Sequence, residues 1–120
     1  MIKTATIILN RNLPKETNLL VEHLKNFDID YTDIFVVEAG SDKDKLSKYC
    51  TWHVNSPDVM ANGLRYSRGM NYGLLQLWKD GEWDKYDSFF LLTNDTTFPK
   101  KQSTVRILRE IMIKNSRVGI

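Results

Sequence analysis

The sequence has almost no cysteine and no long apolar run. Cys50 is the only cysteine among the 120 residues, so an internal disulfide is impossible and a reducing compartment is expected. The longest uninterrupted apolar runs, Ile34–Val37 and Phe89–Leu92, are far shorter than the ~20 residues that a transmembrane helix needs. The first residues also lack the pattern of a secretory signal peptide. We therefore expect one soluble, cytoplasmic domain over residues 1–120.

A strong excess of one charge sign is also missing. The chain has 17 Lys and Arg against 15 Asp and Glu, a net charge of +2, which argues against a nucleic-acid-binding protein. The basic residues nevertheless concentrate from Pro99 onward, where the net charge is +5, leaving −3 for the first 98 residues. A solvated helix face is the simpler interpretation of this basic segment. Peripheral contact with the inner face of an anionic membrane, or with an acidic partner, is the alternative.

The apolar residues alternate between two kinds of segment, which predicts an α/β fold. Runs rich in Ile, Val, Leu and Phe predict buried strands, and the segments between them have helical spacing. The predicted strands are Thr4–Leu9, Asp33–Val37, Thr51–Val54 and Ser88–Leu92. Such alternation implies a mostly parallel, Rossmann-like sheet with helices on both faces. The segment Asn55–Asn62 is predicted to be irregular.

Two further expectations concern the helices and the C-terminus. A helix is predicted over Leu64–Lys79, with Leu64, Asn71, Leu75 and Trp78 on one stripe. The last helix is predicted to end near Asn115, after which residues 117–120 have the composition of a fifth strand that is not completed. We therefore expect the chain to be the N-terminal part of a longer protein; an independent domain with a very short last strand is the alternative.

Polar residues follow three of the predicted strands, where ligands bind in open α/β sheets. The segment Asn10–Pro14 has no glycine, which argues against the glycine-rich dinucleotide and P-loop motifs. After the second strand, Glu38 can accept hydrogen bonds from a base or a ribose, and Gly40 allows a close turn around a ligand. After the fourth strand, Asp95 is a hard oxygen ligand suited to Mg²⁺ or Mn²⁺, with Asn94 beside it.

A basic pair supplies the remaining candidate contact. Arg65 and Arg68 are three residues apart near the start of a predicted helix, where both can meet a diphosphate. Each candidate also has a structural interpretation. Glu38 can cap a short helix, Asp95 can be a turn residue, and the arginines can form surface ion pairs.

Four segments, taken together, resemble the nucleotide-sugar-binding half of family 2 glycosyltransferases with the GT-A fold. These segments are residues 6–12 (TIILNRN), 34–42 (IFVVEAGSD), 69–74 (GMNYGL) and 89–95 (FFLLTND). The resemblance covers nearly the whole chain, with the segments in the same order as in the family.

The resemblance implies roles for particular residues. Asn10 and Arg11 stand where the family lines its base pocket, and Glu38 stands where an Asp contacts the base or ribose. Asn71 matches the Asn of the family's Ala-Arg-Asn helix start, although the Arg position is not kept. The metal-binding Asp-x-Asp motif reads Thr-Asn-Asp here, so Asp95 would hold a divalent cation mainly together with the nucleotide.

The implied activity is transfer of a sugar from a UDP- or GDP-type donor to the hydroxyl of a saccharide or lipid-linked acceptor. In the family, the catalytic base lies beyond this half, so the isolated chain is expected to bind a donor without turning it over. Two alternatives remain open, namely a non-catalytic α/β binding module and a sugar-nucleotide nucleotidyltransferase.

Overall fold

Four strands form one parallel sheet in a computed structural model that describes residues 2–115. In chain order the strands are β1 (Lys3–Asn10), β2 (Thr32–Ala39), β3 (Trp52–Val54) and β4 (Tyr86–Thr93). Their order across the sheet is β3-β2-β1-β4, and every neighbouring pair is parallel. The predicted parallel α/β architecture is therefore confirmed, while the predicted fifth strand lies outside the described residues.

Residues 2–115 also form four helices and two single 3-10 turns, and all of these except the last helix lie between strands. The helices are α1 (Pro14–Asp28), α2 (Pro57–Asn62), α3 (Tyr66–Lys79) and α4 (Val105–Lys114). The prediction of an irregular segment at 55–62 is wrong, because Pro57 occupies the first helical position, where its missing N–H costs nothing. Within residues 2–115, no helix combines the length and the apolar character needed to cross a membrane.

Helices cover both faces of the sheet, as predicted. On one face α1 and α4 enclose an apolar cluster, and α3 encloses a second cluster on the other face. The fully buried centres of the first cluster include Ile8, Val21, Leu24, Val36 and Val105. Those of the second include Ala5, Ile7, Val37, Met70 and Leu77.

The predicted stripe of α3 lies on its exposed side. Leu75 and Trp78 of that stripe are 54% and 65% exposed. The buried residues of α3 are instead Gly69, Met70, Gly73 and Leu77. Gly69 lets the helix lie close to β1, since a Cβ there would come within 2.3 Å of a Leu9 methyl carbon. The face of α3 that meets the sheet thus combines two glycines, which allow a close approach, with Met70 and Leu77, which fill the apolar cluster.

A buried carboxylate attaches α4 to the rest of the fold. Asp28, the last residue of α1, is fully buried and accepts hydrogen bonds from the backbone N–H groups of Thr104 (2.9 Å) and Arg106 (3.2 Å). It thereby satisfies free donors at the start of α4. Because α1 returns from the carboxyl end of β1 to the amino end of β2, its last residue lies at the amino edge of the sheet. Helix α4 therefore begins at that edge.

Candidate functional site

The strand order puts the topological switch point of the sheet between β1 and β4. The connection through α1 runs from β1 to β2 on one side, whereas β4 lies on the other side of β1. Such a switch point, at the carboxyl ends of the strands, is where open α/β sheets bind ligands. Asn10 ends β1 and Asn94 directly follows β4, and the Asn94 amide donates a 2.9 Å hydrogen bond to Asn10 Oδ1. Two of the predicted site residues thus meet at the switch point.

Glu38 lies next to Asn10 at the centre of a buried polar network. The two residues are partners in the β1–β2 register, and both side chains are fully buried. Asn10 Nδ2 donates to both carboxylate oxygens of Glu38, at 3.0 and 2.7 Å. The backbone N–H of Ser47 donates at 2.6 Å and the hydroxyl of Ser41 at 3.2 Å. One carboxylate therefore ties the end of β1 to the loop that follows β2.

Burial also changes the acidity of this carboxylate. Removal from water raises the pKa of Glu38, although the hydrogen bonds from Ser47, Asn10 and Ser41 and the nearby His53 act in the opposite direction. Having no solvent-exposed surface, Glu38 can touch a base or a ribose only after exchanging some of these hydrogen bonds. In this structure it positions Asn10 and the neighbouring loop.

The loops after β1 and β2 are also joined outside that network. Asn12, with a left-handed φ of +59°, donates its backbone N–H to the Ser41 hydroxyl at 3.1 Å. Its side-chain oxygen accepts a 2.7 Å hydrogen bond from the backbone N–H of Asp42. Asn is among the few residues other than Gly that tolerate this backbone conformation. These two hydrogen bonds join the loop after β1 to the loop after β2 at the carboxyl edge of the sheet.

The close neighbour of Gly40 is α2. Gly40 has a φ of +80°, and a Cβ at this position would lie 2.2 Å from the carbonyl oxygen of Val59. The close turn predicted at Gly40 is present, and α2 fills the space on the Cβ side of its backbone. Contact of Gly40 with a ligand stays a prediction.

Arg11 lies at the C-terminal end of the same helix. One of its guanidinium nitrogens donates to the carbonyl oxygens of Met60 (3.2 Å) and Ala61 (3.4 Å). These are carbonyls of the last turn of α2, where a cation is favourable. The side chain remains exposed at the carboxyl edge, so it holds α2 and stays accessible from solvent.

The N-terminal turn of α3 brings the predicted basic pair to the same edge. Arg65 and Arg68 are exposed, and neither forms an ion pair or a side-chain hydrogen bond with another described residue. The surface-ion-pair alternative is therefore not what the structure shows. Asn71 is exposed and lines a shallow groove with Trp78 and Trp83 on the outer side of α3. The structure places Asn71 in this groove and not among the residues at the switch point.

Asp95 is exposed next to the switch point and accepts a hydrogen bond from the hydroxyl of Thr93. Among residues 2–115 there is no group of three or more His, Cys, Asp or Glu side chains that could hold a metal ion. The donor set around Asp95 thus fits a divalent cation only if phosphate oxygens complete the coordination, as Mg²⁺ sites in proteins often require.

A cavity of about 270 Å³ next to Asp95 was not predicted from the sequence. It lies between α1 and residues 94–98, and Glu16 and His23 line it from α1. His23 stacks on Phe98 at 4.6 Å, and its Nε2 atom is buried without a hydrogen-bond partner in the described chain. Glu16 and His23 are seven residues apart, so the helical period places them on one face of α1. This seven-residue spacing was the signal in the sequence that could have indicated the cavity.

Comparisons of the chain with protein-family models, with curated proteins and with solved structures return no match. The resemblance to family 2 glycosyltransferases rests on the four sequence segments alone. The parallel sheet and its strand order are compatible with a Rossmann-like fold.

Proposed function

We propose that this chain is the donor-binding half of a glycosyltransferase and binds a nucleoside-diphosphate sugar at the carboxyl edge of the sheet. The supporting observation is the contact between Asn10 and Asn94 at the β1–β4 switch point, which brings the adjoining Asp95 to that edge. Arg65 and Arg68 lie at the same edge with no anionic partner in the described chain. A diphosphate is the ligand that needs both a metal-binding carboxylate and free guanidinium groups.

The chemistry of such a site is neutralisation of charge. Sugar transfer leaves negative charge on the departing diphosphate, and a divalent cation supplies charge neutralisation there when bound. Asp95 would hold that cation together with the diphosphate oxygens, and the two arginines would bind the remaining oxygens. Glu38 contributes indirectly, by holding the Asn10 amide in place. We assign no general base to this chain, so the proposed activity of the isolated chain is binding.

Calorimetric titration with UDP and GDP, with and without Mn²⁺, tests this proposal. We expect Mn²⁺-dependent binding of one nucleotide. Replacing Asp95 with Asn should weaken that binding by about tenfold or more, the usual size of a lost charge-assisted contact. Glu16→Gln is the matched control, because this exposed carboxylate lines the adjacent cavity but carries no role in the proposal.

Two outcomes would contradict the proposal. One is the absence of binding of either nucleotide by the folded chain in the presence of Mn²⁺. The other is an equal loss of affinity in Asp95→Asn and Glu16→Gln, which would indicate general electrostatics rather than a metal contact.

One observation favours a second candidate, the non-catalytic α/β binding module. Glu38 makes four hydrogen bonds inside the fold and has no exposed surface, as expected of a structural carboxylate. Normal folding without nucleotide binding would support the module. No comparable observation favours a nucleotidyltransferase, whose glycine-rich loop after the first strand is missing here.

A further inference from the structure

Strand β4 forms an unprotected edge of the sheet within residues 2–115. It is the last strand in the order β3-β2-β1-β4 and has eight residues, whereas β3 at the opposite edge has only three. Short edge strands protect a sheet against further pairing, and so do lysine or proline within an edge strand. The segment Tyr86–Thr93 contains neither, and its one charged residue, Asp87, is paired with Arg109 at 2.6 Å.

The backbone groups on the open side of β4 belong to Phe89 and Leu91. Thr4 in β1 donates its backbone N–H away from β4, to Tyr31 at 2.9 Å, so the alternation of the strand turns the backbone of Ala5 toward β4. In a parallel pair, a residue bonds to the two neighbours of its register partner, and the partner of Ala5 is Phe89. The N–H and C=O of Phe89, and of Leu91 two residues later, therefore point outward. Within the described residues they have no hydrogen-bond partner.

The side chains along this edge are less buried than those of the neighbouring strand. Phe89 and Leu91 are partly buried against the apolar cluster under α3, and Phe90 is partly buried against the cluster on the other face. Their register partners in β1, which has a strand on each side, are fully buried, namely Ala5, Thr6 and Ile7. A further strand beside β4 would thus cover apolar surface on both faces of the sheet.

We propose that β4 pairs with β4 of a second copy of this chain, antiparallel across a two-fold axis at Phe90. Free N–H and C=O groups on a strand edge are satisfied by another extended strand. The edge of β4 is complementary to itself: with the axis at Phe90, Phe89 of one copy lies opposite Leu91 of the other, and the two residues exchange both hydrogen bonds. The two four-stranded sheets then join into one sheet of eight strands.

Neighbouring residues fix the position of this axis. An axis at Leu91 would need Thr93, whose carbonyl oxygen already accepts a 3.1 Å backbone hydrogen bond in the turn that follows β4. An axis at Phe89 would need Asp87, which lies at the irregularity in the register of β4 with β1. The axis at Phe90 needs neither, and it brings the two Phe90 side chains together as a directly opposed pair. This inference does not depend on the proposed nucleotide site.

Analytical ultracentrifugation of the purified chain tests the pairing, and we expect a concentration-dependent dimer. Leu91→Pro should weaken dimerisation by about tenfold or more relative to Leu91→Ala, because proline removes the outward N–H of this residue. Leu91→Ala is the matched control, since it loses the same side chain but keeps the N–H. Circular dichroism of both variants checks that the fold is retained.

A symmetric disulfide tests the position of the axis and does not require the proline variant. In the Cys50→Ser background, Phe90→Cys would place the Cα atoms of the two copies about 4.5 Å apart, within disulfide range, so mild oxidation should give a covalent dimer. Leu92→Cys in the same background is the control, because its side chain lies on the same face of the sheet as Phe90. Its two copies would be about 13 Å apart along the strands, which is beyond the reach of a disulfide.

Three results would overturn the inference. The first is a folded chain that is monomeric at about 100 μM. Protection of the Leu91 amide from hydrogen exchange in that monomer would identify another segment of the same chain as the covering strand. The second is equal dimer affinity in Leu91→Pro and Leu91→Ala, which would place the dimer contact elsewhere. The third is equal cross-linking of Phe90→Cys and Leu92→Cys, which would contradict an axis at Phe90.

Discussion

Replacement of Glu38 by Ala is expected to lower the free energy of unfolding by about 4 kcal/mol. The change removes the acceptors for the Asn10 amide, the Ser47 N–H and the Ser41 hydroxyl, and it opens a cavity at a fully buried position. Each buried donor left without a partner costs about 1–3 kcal/mol. Domains of this kind have total stabilities of about 5–15 kcal/mol, so the effect is large. Urea unfolding, monitored by tryptophan fluorescence, measures this loss in the free energy of unfolding.

The matched control for this substitution is Glu16→Ala, which removes an exposed carboxylate near the same edge. The free energy of unfolding of Glu16→Ala should lie within about 0.5 kcal/mol of the wild-type value, as is usual for surface positions. Similar losses in both variants would show that the buried network contributes no particular stability. Glu38→Gln should fall between wild type and Glu38→Ala, because the amide keeps the side-chain volume but has only one acceptor oxygen.

The buried carboxylate also predicts how stability changes with pH. Burial raises the pKa of Glu38 in the folded state above its usual value of 4.5, so the folded chain binds this proton more tightly than the unfolded chain. The resulting stabilisation is complete below that usual pKa and is lost as the pH rises through the folded-state pKa. Wild type should therefore lose stability relative to Glu38→Gln as the pH is raised from about 4 to about 8. Unfolding midpoints across this range measure the difference, and a pH-independent difference would contradict the raised pKa.

The strands were predictable because both faces of this sheet are covered. A strand buried on both sides is nearly continuous in apolar residues, and such runs at 34–37 and 89–92 are recognisable without any knowledge of their partners. The inward face of α3 was not predictable by the same means. Its contact with β1 depends on the absence of a side chain at Gly69. A prediction from the spacing of apolar residues gives no indication of such a contact.

The candidate site was also predictable only in part. The rule that ligands bind at the carboxyl ends of strands placed Asn94, Asp95 and the basic start of α3 at one edge, and the structure agrees. The burial of Glu38 was not foreseen, because it depends on the register of β1 with β2 and on a backbone N–H nine residues later in the chain. The contact of Arg11 with α2 is equally non-local, since the two are separated by 49 residues.

Gly40→Ala is expected to destabilise the fold by about 3 kcal/mol, mainly by displacing α2. The new methyl group would meet the carbonyl oxygen of Val59 at 2.2 Å, and because that atom belongs to backbone, the whole helix must shift. Gly81 is a close control, since its φ of +72° is nearly the same and nothing lies within 4 Å of its Cβ position.

Gly81→Ala should therefore cost only the backbone strain, about 1 kcal/mol, and the difference between the two variants isolates the contact with α2. Urea unfolding gives both values, and hydrogen exchange over residues 57–62 reports whether α2 has moved. Because Arg11 donates to the last turn of α2, a displaced helix also loses that contact at the carboxyl edge. Equal destabilisation in the two alanine variants, with unchanged exchange in α2, would mean that the close approach at Gly40 does not hold this helix in place.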